Sequence, residues 1–251
     1  MGKKAKRKAE LAATSDIIHC ACVIHDTKYD WSYVDKLYRG LCRNLTPTVI
    51  LHVFTESHRP VPEPYVRHNL EEWPGIRGPK KSWWYKVQMF NPKHHRGHLL
   101  YFDLDTVIVD NIDWIWQLPR DYFWAVRDFK YLFKSRRATI NSSVMWFNTQ
   151  QYAYILQDFD ADKVSKNILR YHGDQDYIHE KIPQEKLRYF DTTRIVSYKW
   201  EVKEGGYNFS TRKHNKPGEI SWPTSDVDVL VFHGNPNPCE ESHPVIRDNW
   251  Y

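Results

Sequence analysis

A chain of 251 residues that is 41% hydrophobic and 27% charged has the composition of a folded globular protein, which excludes the intrinsically disordered class. It is long enough to bury a sizeable core, and without a low-complexity linker it is expected to form a single α/β domain. A net charge of +5 favours anionic partners such as nucleotide phosphates, nucleic acid or an acidic membrane surface, and no run of about 18 apolar residues offers a transmembrane segment.

Lys3, Lys4, Lys6, Arg7 and Lys8 crowd the start, so residues 1–15 read as a solvated basic tail, with peripheral contact to an anionic surface as the functional alternative. No apolar segment follows as a signal peptide requires, and a cytoplasmic location is expected. Ile17 to Ile24 is a near-continuous apolar run, the pattern of a strand covered on both faces. His25, Asp26 and Thr27 follow as a polar turn at the carboxyl end, where open α/β sheets bind ligands. Cys20 and Cys22 lie in that strand. A Cys-Ala-Cys without a second half is no zinc site, so these two, with Cys42 and Cys239, read as reduced thiols.

Apolar positions from Trp31 to Cys42 follow helical spacing, and Thr48 to Thr55 is a second buried strand, so the chain opens as β-α-β with parallel strands. Pro60, Pro62, Pro64, Pro74 and Pro79 leave room only for a short helix near Val66 to Glu72. Lys81 to Phe90 reads as a helix capped by Ser82 and ended by Asn91-Pro92. Lys86 in its middle either snorkels or serves a site.

Leu99 to Val109 is an apolar strand interrupted by Asp103 and Asp105. Residues two apart on a strand share a face, so the two carboxylates could address one hard cation, Mg²⁺ or Mn²⁺; the structural alternative is a turn. A turn and short helix follow at 111–116, a strand at Tyr122 to Arg127, and then Lys130, Lys134, Arg136 and Arg137 interleaved with Phe129, Tyr131 and Phe133. That basic patch is either a solvated loop or a polyanion contact. Thr139 to Asn148 reads as a strand entered through a polar turn. Helix is expected from Thr149 to Leu156, from Lys163 to Arg170, and after His172 to Asp176, where Asp174 could simply cap it. Short extended segments at 187–190 and 194–200, a polar loop at 201–225 and a last strand at Val227 to Phe232 complete the chain.

Taken together, four segments in this order resemble nucleotide-sugar glycosyltransferases of the glycosyltransferase A fold, most closely family 8, which includes bacterial lipopolysaccharide galactosyltransferases and glycogenin. Tyr101-Phe102-Asp103-Leu104-Asp105 is similar to the metal-binding D-x-D strand. Asn141-Ser142-Ser143-Val144 is similar to the N-S-G-V segment, Gly173-Asp174-Gln175-Asp176 to the G-D-Q-D turn, and Phe232-His233-Gly234-Asn235-Pro236-Asn237-Pro238 to the F-H-G-x-x-K-P ending. Trp83-Trp84-Tyr85-Lys86 matches the helix before the metal strand.

The resemblance implies a Rossmann-like, mixed but mainly parallel sheet flanked by helices, with residues 16–251 as the catalytic domain. It implies a metal-dependent enzyme moving a sugar, with retention, from a nucleoside-diphosphate sugar, a UDP-sugar first, to a glycan, lipid-linked glycan, protein or nucleic-acid base. Asp103, Asp105 and His233 would hold Mn²⁺ or Mg²⁺. Ile24, His25, Asp26 and Thr27 would meet the base, and Lys86 the phosphates or sugar. Leu104, Asn141, Ser142, Gly234 and Asn237 would complete the donor site, and Asp174, Gln175 and Asp176 would face the reacting carbon. Ser143 replaces the usual Gly, and Asn237 the usual Lys, whose phosphate contact would pass to Lys199 or Lys203. Two rivals are a nucleic-acid-binding protein, built on the basic segments, and a nucleotidyltransferase, which would want a Gly-rich loop where His25-Asp26-Thr27-Lys28 stands.

Overall fold

The computed structural model describes residues 16–76, 78, 81–129, 139–166, 170–203, 207–208, 213–214 and 226–251. The expected basic tail at 1–15, the basic residues Lys130, Lys134, Arg136 and Arg137, and most of the 201–225 loop lie outside the described residues.

The chain opens with β1 (Ile17–Val23), α1 (Trp31–Asn44) and β2 (Thr48–Thr55). Asp30 caps α1, its side chain accepting from Ser32 N at 2.9 Å, and Tyr33, Val34, Leu37 and Leu41 turn inward. β3 (Val66–Asn69) comes next, then a 3-10 helix (Ser82–Phe90), β4 (His98–Phe102), β5 (Thr106–Ile108), α2 (Asp113–Trp116) and β6 (Phe123–Arg127). The second half holds β7 (Ile140–Asn148), α3 (Tyr154–Gln157), α4 (Ala161–Ser165), α5 (Asp174–Lys181), β8 (Leu187–Tyr189), β9 (Ile195–Ser197), β10 (Tyr207–Asn208), β11 (Lys213–His214), β12 (Val229–Val231) and α6 (Pro244–Asn249).

Seven strands form the main sheet in the order β3-β2-β1-β4-β7-β6-β8. Neighbours run parallel except that β7 is antiparallel to both β4 and β6. Short sheets of β5-β12-β9 and β10-β11 accompany it. One core packs α1 and the β5-β12-β9 sheet against Ile18, Cys20 and Cys22; a second packs the 3-10 helix against Ala21, Tyr101 and Phe147 on the opposite face. Both faces are therefore covered, which accounts for the largely apolar runs of β1 and β2 and of Val144 to Phe147 in β7.

Several local expectations change. Val66 to Asn69 is a strand, because parallel pairing with β2 from His52 to Thr55 satisfies its backbone in place of a helix. Ser82 to Phe90 winds as 3-10 helix, and Lys81 occupies the cap position without a side-chain bond, so Ser82 is not the cap. Gly173, not Asp174, is the residue before α5, and Asp174 is its first helical residue. Helix at 149–156 is confined to α3, and helix within 163–170 to α4 ending at Ser165, with 167–169 outside the described residues. Cys20 and Cys22 are buried free thiols, and Cys42 and Cys239 are exposed free thiols.

Candidate active site

The strand order decides which chain segments meet. Because β7 runs against β4, with Phe102 opposite Val144, its first residues lie at the same sheet edge as the carboxyl end of β4, and Asp103 N donates to Ser143 O at 2.8 Å. β12 pairs antiparallel with β5, Val231 opposite Thr106, and Phe232 N donates to Asp105 O at 3.2 Å. These two pairings place Ser142, Asp103, Asp105 and His233 around one cavity of about 250 Å³.

Asp103 and Asp105 do not share a strand face. β4 stops at Phe102, and Leu104 and Asp105 form a turn closed by Thr106 N donating to Asp103 O at 3.2 Å. The alternation rule fails here because the backbone leaves one sheet to enter another. Each carboxylate has its own partners: Asp103 takes the Lys86 ammonium on both oxygens, at 2.8 and 3.0 Å, and the Tyr101 hydroxyl at 2.6 Å. Asp105 accepts from the Tyr29 hydroxyl at 2.6 Å and lies 3.9 Å from Lys28 Nζ.

Lys86 is the hub. It is buried, donates to Ser142 Oγ at 3.1 Å, and sits 3.6 Å from Asp174, while Ser142 Oγ in turn donates to Asp174 at 2.7 Å. Burial alone would discharge this amine, but Asp103 and Asp174 outweigh it and hold its pKa up. Burial raises the Asp174 carboxyl, with Lys86 and Ser142 opposing. Burial also pushes Asp105 up to about 6, and the charge of Asp103 adds to the shift. Three carboxylates thus face two ammonium groups, leaving a site that would gain from another cation.

The loop after β1 is strapped from behind. Asp26 adopts a left-handed φ of 62°, its N–H donates to Glu56 Oε1 at 2.6 Å, and Arg59 bonds both that carboxylate and the Asp26 carbonyl. Strapped this way, the loop turns His25, Lys28 and Tyr29 toward the cavity. His25 stacks on Tyr85 at 3.9 Å, and its Nδ1 is buried without a hydrogen-bond partner among the described residues.

Of the residues expected to serve the site, His25, Lys86, Asp103, Leu104, Asp105, Asn141, Ser142, Asp174, Gln175, His233 and Gly234 line the cavity. Ile24, Asp26, Thr27, Asp176 and Asn237 do not. Ile24 is sealed in the core, and Asp26 and Thr27 belong to the strap. Asp176 accepts from His172 N at 3.4 Å, and Asn237 starts a capping box with Glu240. Lys203 pairs with Glu241 at 3.0 Å, and Lys199 lies over Trp200, so neither lines the cavity. Lys28, Tyr29, Ser82, Trp83 and Tyr101 were not anticipated. Tyr101 could have been found as the residue two before Asp103 on β4, and Trp83 as the residue three before Lys86 on a 3-10 turn.

His233 lies beside Phe129 and Trp200 and shares a 2.6 Å hydrogen bond with Ser197 Oγ. A hard cation fits the chemistry of Asp103, Asp105 and His233, two carboxylates and an imidazole on one cavity. Among the described residues, however, the one trio of ligating side chains with donor atoms within 4.8 Å of one another is His19, His52 and His95, at a different place.

No family model and no curated protein matches the sequence. Solved structures do match in fold. An active-site mutant of LgtC superposes with a TM-score of 0.62 at 14% identity over 92% of this chain and 93% of that one. The galactosyltransferase LgtC in complex with donor and acceptor sugar analogues gives 0.59 at 14%, over 88% and 89%. The bifunctional glycosyltransferase WbbM gives 0.58 at 10% identity over 90% of this chain, and the glycosyltransferase GlyE of Streptococcus pneumoniae gives 0.57 at 12% over 89%. This chain spans 47% of WbbM and 56% of GlyE.

Proposed function

From a glycosyltransferase A fold whose cavity gathers three carboxylates, two of them on one buried lysine, we propose that the protein is a metal-dependent glycosyltransferase acting on a nucleoside-diphosphate sugar, a UDP-sugar first. The observation that carries this is the Lys86 hub: one ammonium tied to Asp103, Asp174 and Ser142 at the sheet edge where strand ends converge. Such a cluster is preorganised, so its dipoles need little rearrangement as charge develops on a leaving group.

Asp103, Asp105 and His233 would hold Mn²⁺ or Mg²⁺, which supplies charge neutralisation for the departing diphosphate. The chain's own groups do the rest. His25, with its unpartnered Nδ1, meets the nucleotide base beside the strapped loop. Lys28 and Tyr29 border the diphosphate side of the cavity, and Asn141 the sugar side. Lys86 fixes the Asp174 carboxylate, which accepts a sugar hydroxyl and sets the ring orientation. Gln175 lies next to it on the face where the anomeric carbon reacts. Transfer proceeds with retention, for which Asp174 and Gln175 are the nearby groups; Asp176, outside the cavity, is not used.

The test is a panel of UDP-, GDP- and other nucleotide sugars assayed for Mn²⁺-dependent donor hydrolysis. Hydrolysis should fall at least about 100-fold in Asp105→Ala and on chelation. Undiminished activity in either would remove the metal, a β-linked product from an α-linked donor would remove retention, and salt-sensitive binding to nucleic acid with no donor hydrolysed would remove the enzyme.

A further inference from the structure

A second group of ligating side chains lies far from the donor cavity, on the face of the sheet that carries the 3-10 helix. In the β1-β2 pairing His19 is opposite Ile50, so His52, two residues on, points to the same side as His19. In the β2-β3 pairing His68 is opposite Phe54, which extends the row across a third strand. The turn between the 3-10 helix and β4 then lays His94 and His95 over the row, with His95 centred 4.4 Å from His19 and 4.9 Å from His52. Along β1, His19 is four residues, or about 13 Å, from Val23 at the cavity wall.

The geometry points to a zinc site formed by His19, His52 and His95, whose ligand atoms all lie within 4.8 Å of one another. The hydrogen bonds around the trio already select the nitrogens. His95 Nε2 faces the His98 carbonyl at 3.2 Å; a carbonyl only accepts, so the proton is on Nε2 and Nδ1 carries the lone pair. His52 Nδ1 contacts His68 Nε2 at 2.7 Å, so with its proton there His52 presents Nε2 to His19, whose Nδ1 is 2.8 Å away. Metal-bound histidines are held in this way, each ligand oriented through its other ring nitrogen. Binding asks only that His19 move its proton from Nδ1 to Nε2, so all three rings stay neutral and no proton is released. The N···N contact between His19 and His52 opens to the ~3.3 Å separation of two nitrogens on a tetrahedral ion with Zn–N bonds of about 2.0–2.1 Å. His19 and His95 are half-buried, which leaves the fourth position to water.

An imidazole trio suits Zn²⁺, whereas Mn²⁺ and Mg²⁺ prefer the carboxylate-rich cavity. The ion would clip β1, β2 and the 91–97 turn together and take no part in sugar transfer.

Zn²⁺ binding is measured by equilibrium dialysis with elemental analysis on the full chain carrying Asp105→Ala, which disables the donor-site metal. One Zn²⁺ per chain is expected, with affinity at least about 100-fold weaker in His19→Gln and in His95→Gln, since even outer partners of a metal site are worth ~10–100-fold. Zinc in about hundredfold excess over Kd should raise Tm by roughly 5–10 °C in Asp105→Ala and not in the histidine variants. Zinc held equally well with His19→Gln and His95→Gln combined, or no zinc held by the Asp105→Ala chain, overturns the assignment. If a histidine variant does not fold, imidazole NMR shifts on adding Zn²⁺ to the Asp105→Ala chain decide it: shifts confined to His19, His52, His95 and their partner His68 support the site, and their absence refutes it.

Discussion

Lys86 answers to two carboxylates at once, and that makes it the residue whose loss is most informative. Lys86→Met should leave the half-buried Asp103 and the buried Asp174 without their ammonium partner, costing roughly 3–5 kcal/mol in urea unfolding and at least about 100-fold in donor hydrolysis. Adding Asp174→Asn removes one of those charges, so the double variant should regain stability and not activity; recovery of both would place Lys86 and Asp174 outside the chemistry. Glu56 gives the matching pH prediction. Burial disfavours its charge, but the bond from Arg59 and those from the Asp26 N–H and Thr55 hydroxyl prevail, holding the carboxyl near 2 against an ordinary 4.5. An acid depressed on folding stabilises above its unfolded pKa, so this contribution, about 3 kcal/mol, is complete above pH 4.5 and declines as pH falls toward 2. Glu56→Gln should lose it at pH 7 and flatten the stability profile between those two values, as urea midpoints measured across that window would register.

Among the elements, α1 and the 3-10 helix hold opposite faces of the sheet, and they were not equally legible. α1 was plain because its apolar spacing from Trp31 to Cys42 agrees with the face it buries; the Asp30 cap showed only in the structure. Leu41 is fully buried on it, so Leu41→Ala should cost about 2–5 kcal/mol with donor affinity unchanged in the surviving folded protein, a split readable from urea unfolding beside ligand titration. The Ser82–Phe90 segment has apolar side chains nearly all round, so its sequence had little to distinguish α from 3-10 winding. Val66 to Asn69 misled for another reason. Its four residues are too few for a periodic signal, and β2 supplies the partner that makes them a strand. The stretch around Asp103 and Asp105 was half legible: its apolar part is β4, but the pair itself lies where the chain turns, because Phe102 ends one sheet and Thr106 opens another.

At the scale of the molecule, one sheet carries two groups of polar side chains at well separated positions, carboxylates at the strand ends and histidines part-way along β1 and β2. UDP together with Mn²⁺, at about a hundred times Kd, should stabilise the fold by ~2.7 kcal/mol, a Tm rise of roughly 5–10 °C by thermal shift. Asp105→Ala should cancel that rise; an equal rise in the variant would place the nucleotide elsewhere. The amino-acid sequence by itself determined the α/β class and the two covered faces, because both are written in local composition and spacing, while the segments around Asp103, Asn141, Asp174 and His233 were singled out together by their resemblance to family motifs. It could not say that β7 runs backward, that Ser142 bridges Lys86 and Asp174, that Tyr29 caps Asp105, or that five histidines gather over β1, β2 and β3. Those facts follow from strand order and register across separations such as the 76 residues between Tyr29 and Asp105, where no local pattern reaches and packing of the whole chain decides.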